Sequence, residues 1–74
     1  MSNSRIPVVD SIAWRIMRAR KEAGLTQAEL AQILYVSRTV VGNWERGNYE
    51  PRLGEAQKIA IATGKPLEFL CPSA

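Results

Sequence analysis

Histidine is absent from this 74-residue chain, and cysteine occurs once, as Cys71. Without a second thiol no internal disulfide can close, and without imidazole neither a Cys/His zinc site nor a Ser-His-Asp triad can be assembled. The five glycines are scattered, so neither a GxGxxG turn nor a phosphate-cradling GxxxxGK[ST] loop occurs. The expectation is a chain that is not an enzyme and has no catalytic residue, cofactor, metal or small-molecule ligand. Long apolar runs are missing too. Met1 to Asp10 has no apolar stretch of the kind a secretory signal needs, and no segment approaches the roughly 20 residues of a membrane span. A cytoplasmic protein that does not enter a membrane is expected, in a bacterial or phage-infected cell.

What is present is an ordinary globular composition, 46% hydrophobic, with Leu, Ile, Val and Ala spread through the middle of the chain. A chain this short buries only about 60% of its unfolded surface and supports one core. Residues 1–74 therefore read as a single domain, with 1–9 as a flexible arm and 71–74 as a tail. A net charge of +3 tilts the chain slightly toward polyanionic partners.

The hydrophobic period is helical throughout, and no alternating run suggests a strand. Asp10-Ser11 can cap a first helix with Ile12, Ile16, Ala19 and Ala23 on one side, stopped by Gly24. Thr26 opens a second, with Glu29 completing a capping box and Leu30, Ala31, Ile33 and Leu34 as the buried side. Ser37 caps a third, in which Val40, Val41 and Trp44 share a face and Gly47 is the stop. Pro51 suits the first turn of a fourth helix carrying Leu53, Ala56, Ile59, Ala60 and Thr63, ended by Gly64. Lys65 to Leu70 reads as a last helical turn. The expected fold is all-α, a compact bundle of about five short helices.

The second and third helices flank a tight turn, and the third is polar on its outer side. Such a pair can hold one short helix away from the protein body at a fixed angle, as reading bases in a DNA groove requires. Gly24-Leu25-Thr26-Gln27, Ala31 facing Val41 across the turn, Trp44-Glu45-Arg46-Gly47 and Pro51 together resemble the helix-turn-helix family of lambdoid phage repressors, Cro proteins and related xenobiotic-response-element-type bacterial regulators. The resemblance runs from about Ile12 to Leu70 and places the motif on the second and third helices. Ala31 supplies the small residue that two steeply crossed helices need at their contact. One position departs from the family: Tyr35 stands where a left-handed Gly is usual, at a cost of roughly 1–2 kcal/mol if that geometry is kept. Either the turn adjusts or the ring recovers the energy by packing.

The resemblance implies a sequence-specific, double-stranded-DNA-binding transcriptional regulator, with Arg38, Thr39, Gly42 and Asn43 nearest the base edges in the major groove. Arginine matches guanine O6 and N7, asparagine matches adenine, and Gly42 permits close approach. Gln27, Ser37, Arg46, Asn48 and Arg52 are the expected phosphate contacts, while Arg18 and Lys21 read as a solvated face and Arg5 as part of the arm. Arg20 and Glu45 correspond to a family pairing that braces the third helix, the alternative being a surface ion pair. A Cro-like or phage-type repressor acting as a homodimer on a palindromic operator is expected. A restriction-modification controller, an antitoxin-type regulator, or a protein-binding module that has kept the fold without binding DNA are the alternatives. Leu67, Phe69 and Leu70 serve either a dimer contact or the core, and Trp14 and Met17 offer a second apolar surface.

Overall fold

A computed structural model describes residues 11–71; the expected arm with Arg5, and residues 72–74 of the expected tail, lie outside them. Five helices follow in order, α1 (Ile12–Glu22), α2 (Gln27–Leu34), α3 (Arg38–Arg46), α4 (Leu53–Thr63) and α5 (Leu67–Leu70), and no strand occurs among the described residues. The starts of α1, α2 and α3 are set by hydroxyl caps, each accepting an otherwise orphaned N–H three residues on. Ser11 Oγ accepts from Trp14 at 3.1 Å, Thr26 Oγ1 from Glu29 at 3.0 Å and Ser37 Oγ from Val40 at 3.2 Å. Glu29 returns the bond to the Thr26 N–H at 2.8 Å, closing the capping box.

At their other ends, α1 to α4 all reverse through the same arrangement. Leu25, Val36, Asn48 and Lys65 donate their N–H groups back to Arg20, Ala31, Asn43 and Ala60, five residues earlier. In each case the residue before the donor is left-handed. Gly24, Gly47 and Gly64 fill that position three times; Tyr35 fills it once, with φ 61° and ψ 40°. The ring does not recover the cost by packing, since Tyr35 is 93% exposed.

Pro51 lies outside α4 instead of in its first turn. The helix begins at Leu53 because Glu55 accepts the N–H of Arg52 at 2.8 Å, which makes Arg52 the N-cap. Pro51 then restrains the extended chain ahead of the cap.

Ile16, Ala19, Leu30, Ala31, Leu34, Val41, Trp44, Ile59, Ala60 and Leu70 form one core. In it α2 and α3 pack on each other, α1 backs α3, α4 backs α2, and α5 closes the end against α1 and α4. Leu70 is fully buried and Phe69 packs against the core, so both finish the core. Three residues placed on buried faces stand outside. Ile33 is 49% exposed because Leu30, Leu34 and Ala31 span an arc of about 100° that the neighbouring helices cover, and Ile33 falls about 60° beyond its edge. Leu53 shares the inner face of α4 but belongs to a first turn that no other described residue covers. Ala23 is likewise exposed, at the C-cap of α1.

The outer side of α1 is tied to the carboxyl end. Glu22 accepts from Arg18 on its own helix and from Lys65 in the loop before α5, and these two cations hold its carboxyl below the usual carboxylate range. Lys65 Nζ also sits 5.0 Å from the Phe69 ring centroid, and Arg15 Nη1 donates to the Phe69 carbonyl at 3.0 Å.

Two consequences are measurable. Tyr35→Gly removes the left-handed penalty while adding freedom to the unfolded chain, so urea unfolding should show a net gain of about 0.5–1 kcal/mol. A loss would mean that the tyrosine makes a stabilising contact after all. Because Glu22 has a depressed folded-state pKa, its contribution is present above the unfolded carboxylate value of about 4.3 and is lost as pH falls through the folded value. The melting-temperature gap between wild type and Glu22→Gln should therefore be larger near neutral pH than at about pH 3.

Candidate nucleic-acid interface

With about 3.6 residues per turn, α3 divides cleanly. Val41 and Trp44 point into the core, while Arg38, Thr39, Gly42, Asn43 and Arg46 occupy an arc of about 140° on the opposite side. Glu45 lies at the boundary of the two faces, turned toward α1 and the start of α2, where it meets Arg20. Arg20 donates twice to it, Nε to Oε2 at 2.7 Å and Nη2 to Oε1 at 2.9 Å. The third guanidinium nitrogen donates to the Leu25 carbonyl at 2.9 Å. The side chains of the pair are only 10% and 5% exposed. Glu45 accordingly raises the pKa of Arg20 above its usual value, first through the hydrogen bond, and burial opposes the shift. Gln27, the first residue of α2, donates Nε2 to Glu45 Oε1 at 3.0 Å. One carboxylate thus fastens the last turn of α3 to α1, through Arg20, and to the start of α2, through Gln27.

The nine residues singled out by sequence for base or phosphate contact fall into three groups. Arg38 and Thr39 are exposed on the first turn of α3, and no hydrogen bond or ion pair holds Arg38 among the described residues. Asn43, Arg46 and Asn48 are joined: Arg46 Nη2 donates to Asn43 Oδ1 at 3.0 Å and Asn48 Nδ2 donates to the same oxygen at 2.7 Å. Gly42 belongs to this group by contact, and here the expectation of an open backbone needs correcting. Gly42 is buried, because the Arg46 side chain folds across it; a Cβ at Gly42 would lie 3.2 Å from Arg46 Nη1. The remaining three mark helix starts. Ser37 caps α3, Arg52 precedes α4 with its side chain exposed, and Gln27 begins α2 with its amide nitrogen already engaged by Glu45.

Tyr49 was not singled out, yet its hydroxyl accepts from Asn43 Nδ2 at 3.4 Å. The reversal at Gly47 carries it back toward α3, and no spacing rule along the chain announces that approach. The Arg46 contact with Gly42 is different, being an i, i+4 relation that the sequence displays.

A family model described as helix-turn-helix matches residues 16–70. Over 50 residues the chain is 46% identical to an uncharacterized HTH-type transcriptional regulator of Methanothermobacter thermautotrophicus, covering 68% of this chain and 72% of that protein. Over 54 residues it is 37% identical to the immunity repressor protein of Bacillus phage phi105, covering 73% of this chain but only 38% of the phage protein. Among the described residues no helix is long and apolar enough to cross a membrane.

Removing one partner of a buried ion pair leaves the other uncompensated, so Glu45→Ala should destabilise by about 3 kcal/mol, the low end of the usual range because Arg20 keeps the Leu25 carbonyl. The apolar double replacement Arg20→Met with Glu45→Leu should fall within about 1 kcal/mol of wild type or above it. Urea unfolding at low temperature distinguishes the two. Equal losses in both variants would show that the site's stability depends on the charges themselves.

Proposed function

The chain belongs to the helix-turn-helix family of DNA-binding transcriptional regulators, and on that premise we propose that it is a cytoplasmic, Cro-like repressor. In this reading it binds a palindromic operator as a homodimer, each copy seating α3 in the major groove. The observation that carries the proposal is the division of α3. Its inner face and Glu45 are fixed to the body of the protein, while its first outward turn presents Arg38 and Thr39.

Arg38 is assigned to guanine, whose O6 and N7 accept two hydrogen bonds in the geometry a guanidinium offers. Thr39 places a hydroxyl or its methyl against the next base. The starts of α2 and α3, with Gln27 and Ser37, supply N–H groups and positive dipole ends for phosphates, and Arg52 adds an exposed cation beside α4. The reading takes the chain as a single domain, which the one core formed by the described residues supports. Repression is favoured over activation because the outward positions Ala28 and Gln32 of α2 carry no carboxylate with which to touch polymerase, and the exposed Glu29 is engaged with the Thr26 N–H. The phage relative's description as an immunity repressor supports the same choice.

Selection from a random duplex library, with the mass of the complex measured in parallel, should enrich a two-fold symmetric site bound by two copies. Arg38→Ala should weaken binding by about 1–3 kcal/mol and relax preference at one base pair per half-site. Affinity should fall steeply with added salt. Binding that ignores salt, with no site enriched, would overturn the proposal.

A further inference from the structure

Asn43 is an adenine reader only if its carboxamide is free to donate and accept at once, and its surroundings do not leave it so. A carboxamide oxygen has two lone pairs. Asn43 Oδ1 receives Nη2 of Arg46 at 3.0 Å and Nδ2 of Asn48 at 2.7 Å, which fills both. On the nitrogen side, one N–H leans toward the Tyr49 hydroxyl at 3.4 Å and the other is unclaimed. The guanidinium that holds the oxygen is itself seated in the space left by the missing Cβ of Gly42, so Arg46 is not an idle surface cation passing through this position.

From this geometry, and resting on the proposed seating of α3 in the major groove, we infer that Asn43 reads its base pair as a donor only. Arg46 and Asn48 act as positioning residues that set this polarity, and are not simply phosphate contacts. The base edge that suits a pure donor best is guanine, with two adjacent acceptors at N7 and O6; in an A·T pair adenine offers N7 but sets its N6 amino group against an oxygen with no lone pair left, and thymine offers a lone O4 acceptor beside its methyl group. Asn43 thus discriminates against the base that an unconstrained asparagine favours. Gly42 acquires a role in specificity through Arg46, since a Cβ there would lie 3.2 Å from Nη1 and press the guanidinium aside by a few tenths of an ångström.

The test uses the full chain and selection from a random duplex library with four proteins: wild type, Asn43→Ala, Asn48→Ala, and the double variant Arg46→Met with Asn48→Ala. Thermal melting of each establishes that it is folded; all three positions lie at the surface or partly so. Asn43→Ala marks the base pair that Asn43 reads, as the position where preference disappears. At that position wild type should favour G·C over A·T by about three- to tenfold. The double variant, with Oδ1 released, should shift the preference toward A·T there and nowhere else, and Asn48→Ala should move part of the way. A wild-type preference for A·T at that position, a double variant that keeps the G·C preference, or an Asn43→Ala profile identical to wild type would each overturn the inference while leaving DNA binding intact. If wild type enriches no sequence at all, the DNA-binding proposal itself fails, and the inference with it.

Discussion

A single buried carboxylate, Glu45, sets the geometry on which the rest of this domain depends. It belongs to the last turn of α3, yet its hydrogen bonds go to Arg20 on α1 and Gln27 at the head of α2. Apolar contacts hold α3 in the core through Val41 and Trp44, and their packing resists rotation of the helix through contacts that carry no angular requirement of their own. A two-pronged guanidinium–carboxylate contact does carry one, because both N–H donors lose their alignment together when α3 turns. Burial of such a pair does not guarantee net stability, since desolvation offsets much of the attraction. Its contribution is better understood as orientation, which a pair of well-packed apolar residues would not reproduce. Arg20 also holds the Leu25 carbonyl, so the reversal between α1 and α2 is registered to the same point.

The reversals themselves share one solution. Each of α1 to α4 ends by turning left-handed for one residue and hydrogen-bonding back into its last turn. The short connections this permits are what allow five helices to enclose one core in so few residues. Tyr35 shows that the constraint lies in the backbone and not in the glycine. The motif's turn keeps the left-handed geometry with a tyrosine, and the cost of roughly 1–2 kcal/mol is borne by the rest of the fold. Ala31 helps explain why the geometry is retained. It is buried in the core that α2 and α3 share, and its carbonyl receives the returning N–H of Val36, so relaxing Tyr35 would disturb both the turn and the crossing.

How far the chain could be read without its structure follows from the range of each interaction. The caps at Ser11, Thr26 and Ser37 were legible because a hydroxyl three residues ahead of an N–H is a local event. Gly24, Gly47 and Gly64 were legible for the same reason. The period of about 3.6 identifies the inner face of each helix but not the width of the arc its neighbours cover, so the spacing puts Ile33 and Leu53 inside while the structure leaves both exposed. Pro51 suited the first turn of α4 on its own terms; that Glu55 would instead cap the N–H of Arg52 is a competition between two local signals that spacing does not rank. The meeting of Arg20 with Glu45 came from family resemblance, since the residues are 25 apart and no periodicity joins them. Gln27 joining that pair, and Tyr49 approaching Asn43, depend on where separate turns deliver the chain. They had no signature at all.

The outer face of α3 carries two kinds of side chain that differ in what binding would cost them. Arg38, unrestrained in its first turn, must give up rotamer freedom on the order of 0.5–1.5 kcal/mol to make any fixed contact. Asn43, Arg46 and Asn48 have already surrendered theirs to one another, so the carboxamide is aimed before a ligand arrives. A preset group discriminates sharply, because it cannot rotate to accept the wrong partner, whereas a free arginine gains affinity by adapting. In the proposed reading, the adaptable cation at the exposed start of the helix and the preset amide beyond it would give the face both properties. Gly42 is the residue that makes the arrangement fit, by leaving room for the guanidinium that does the locking.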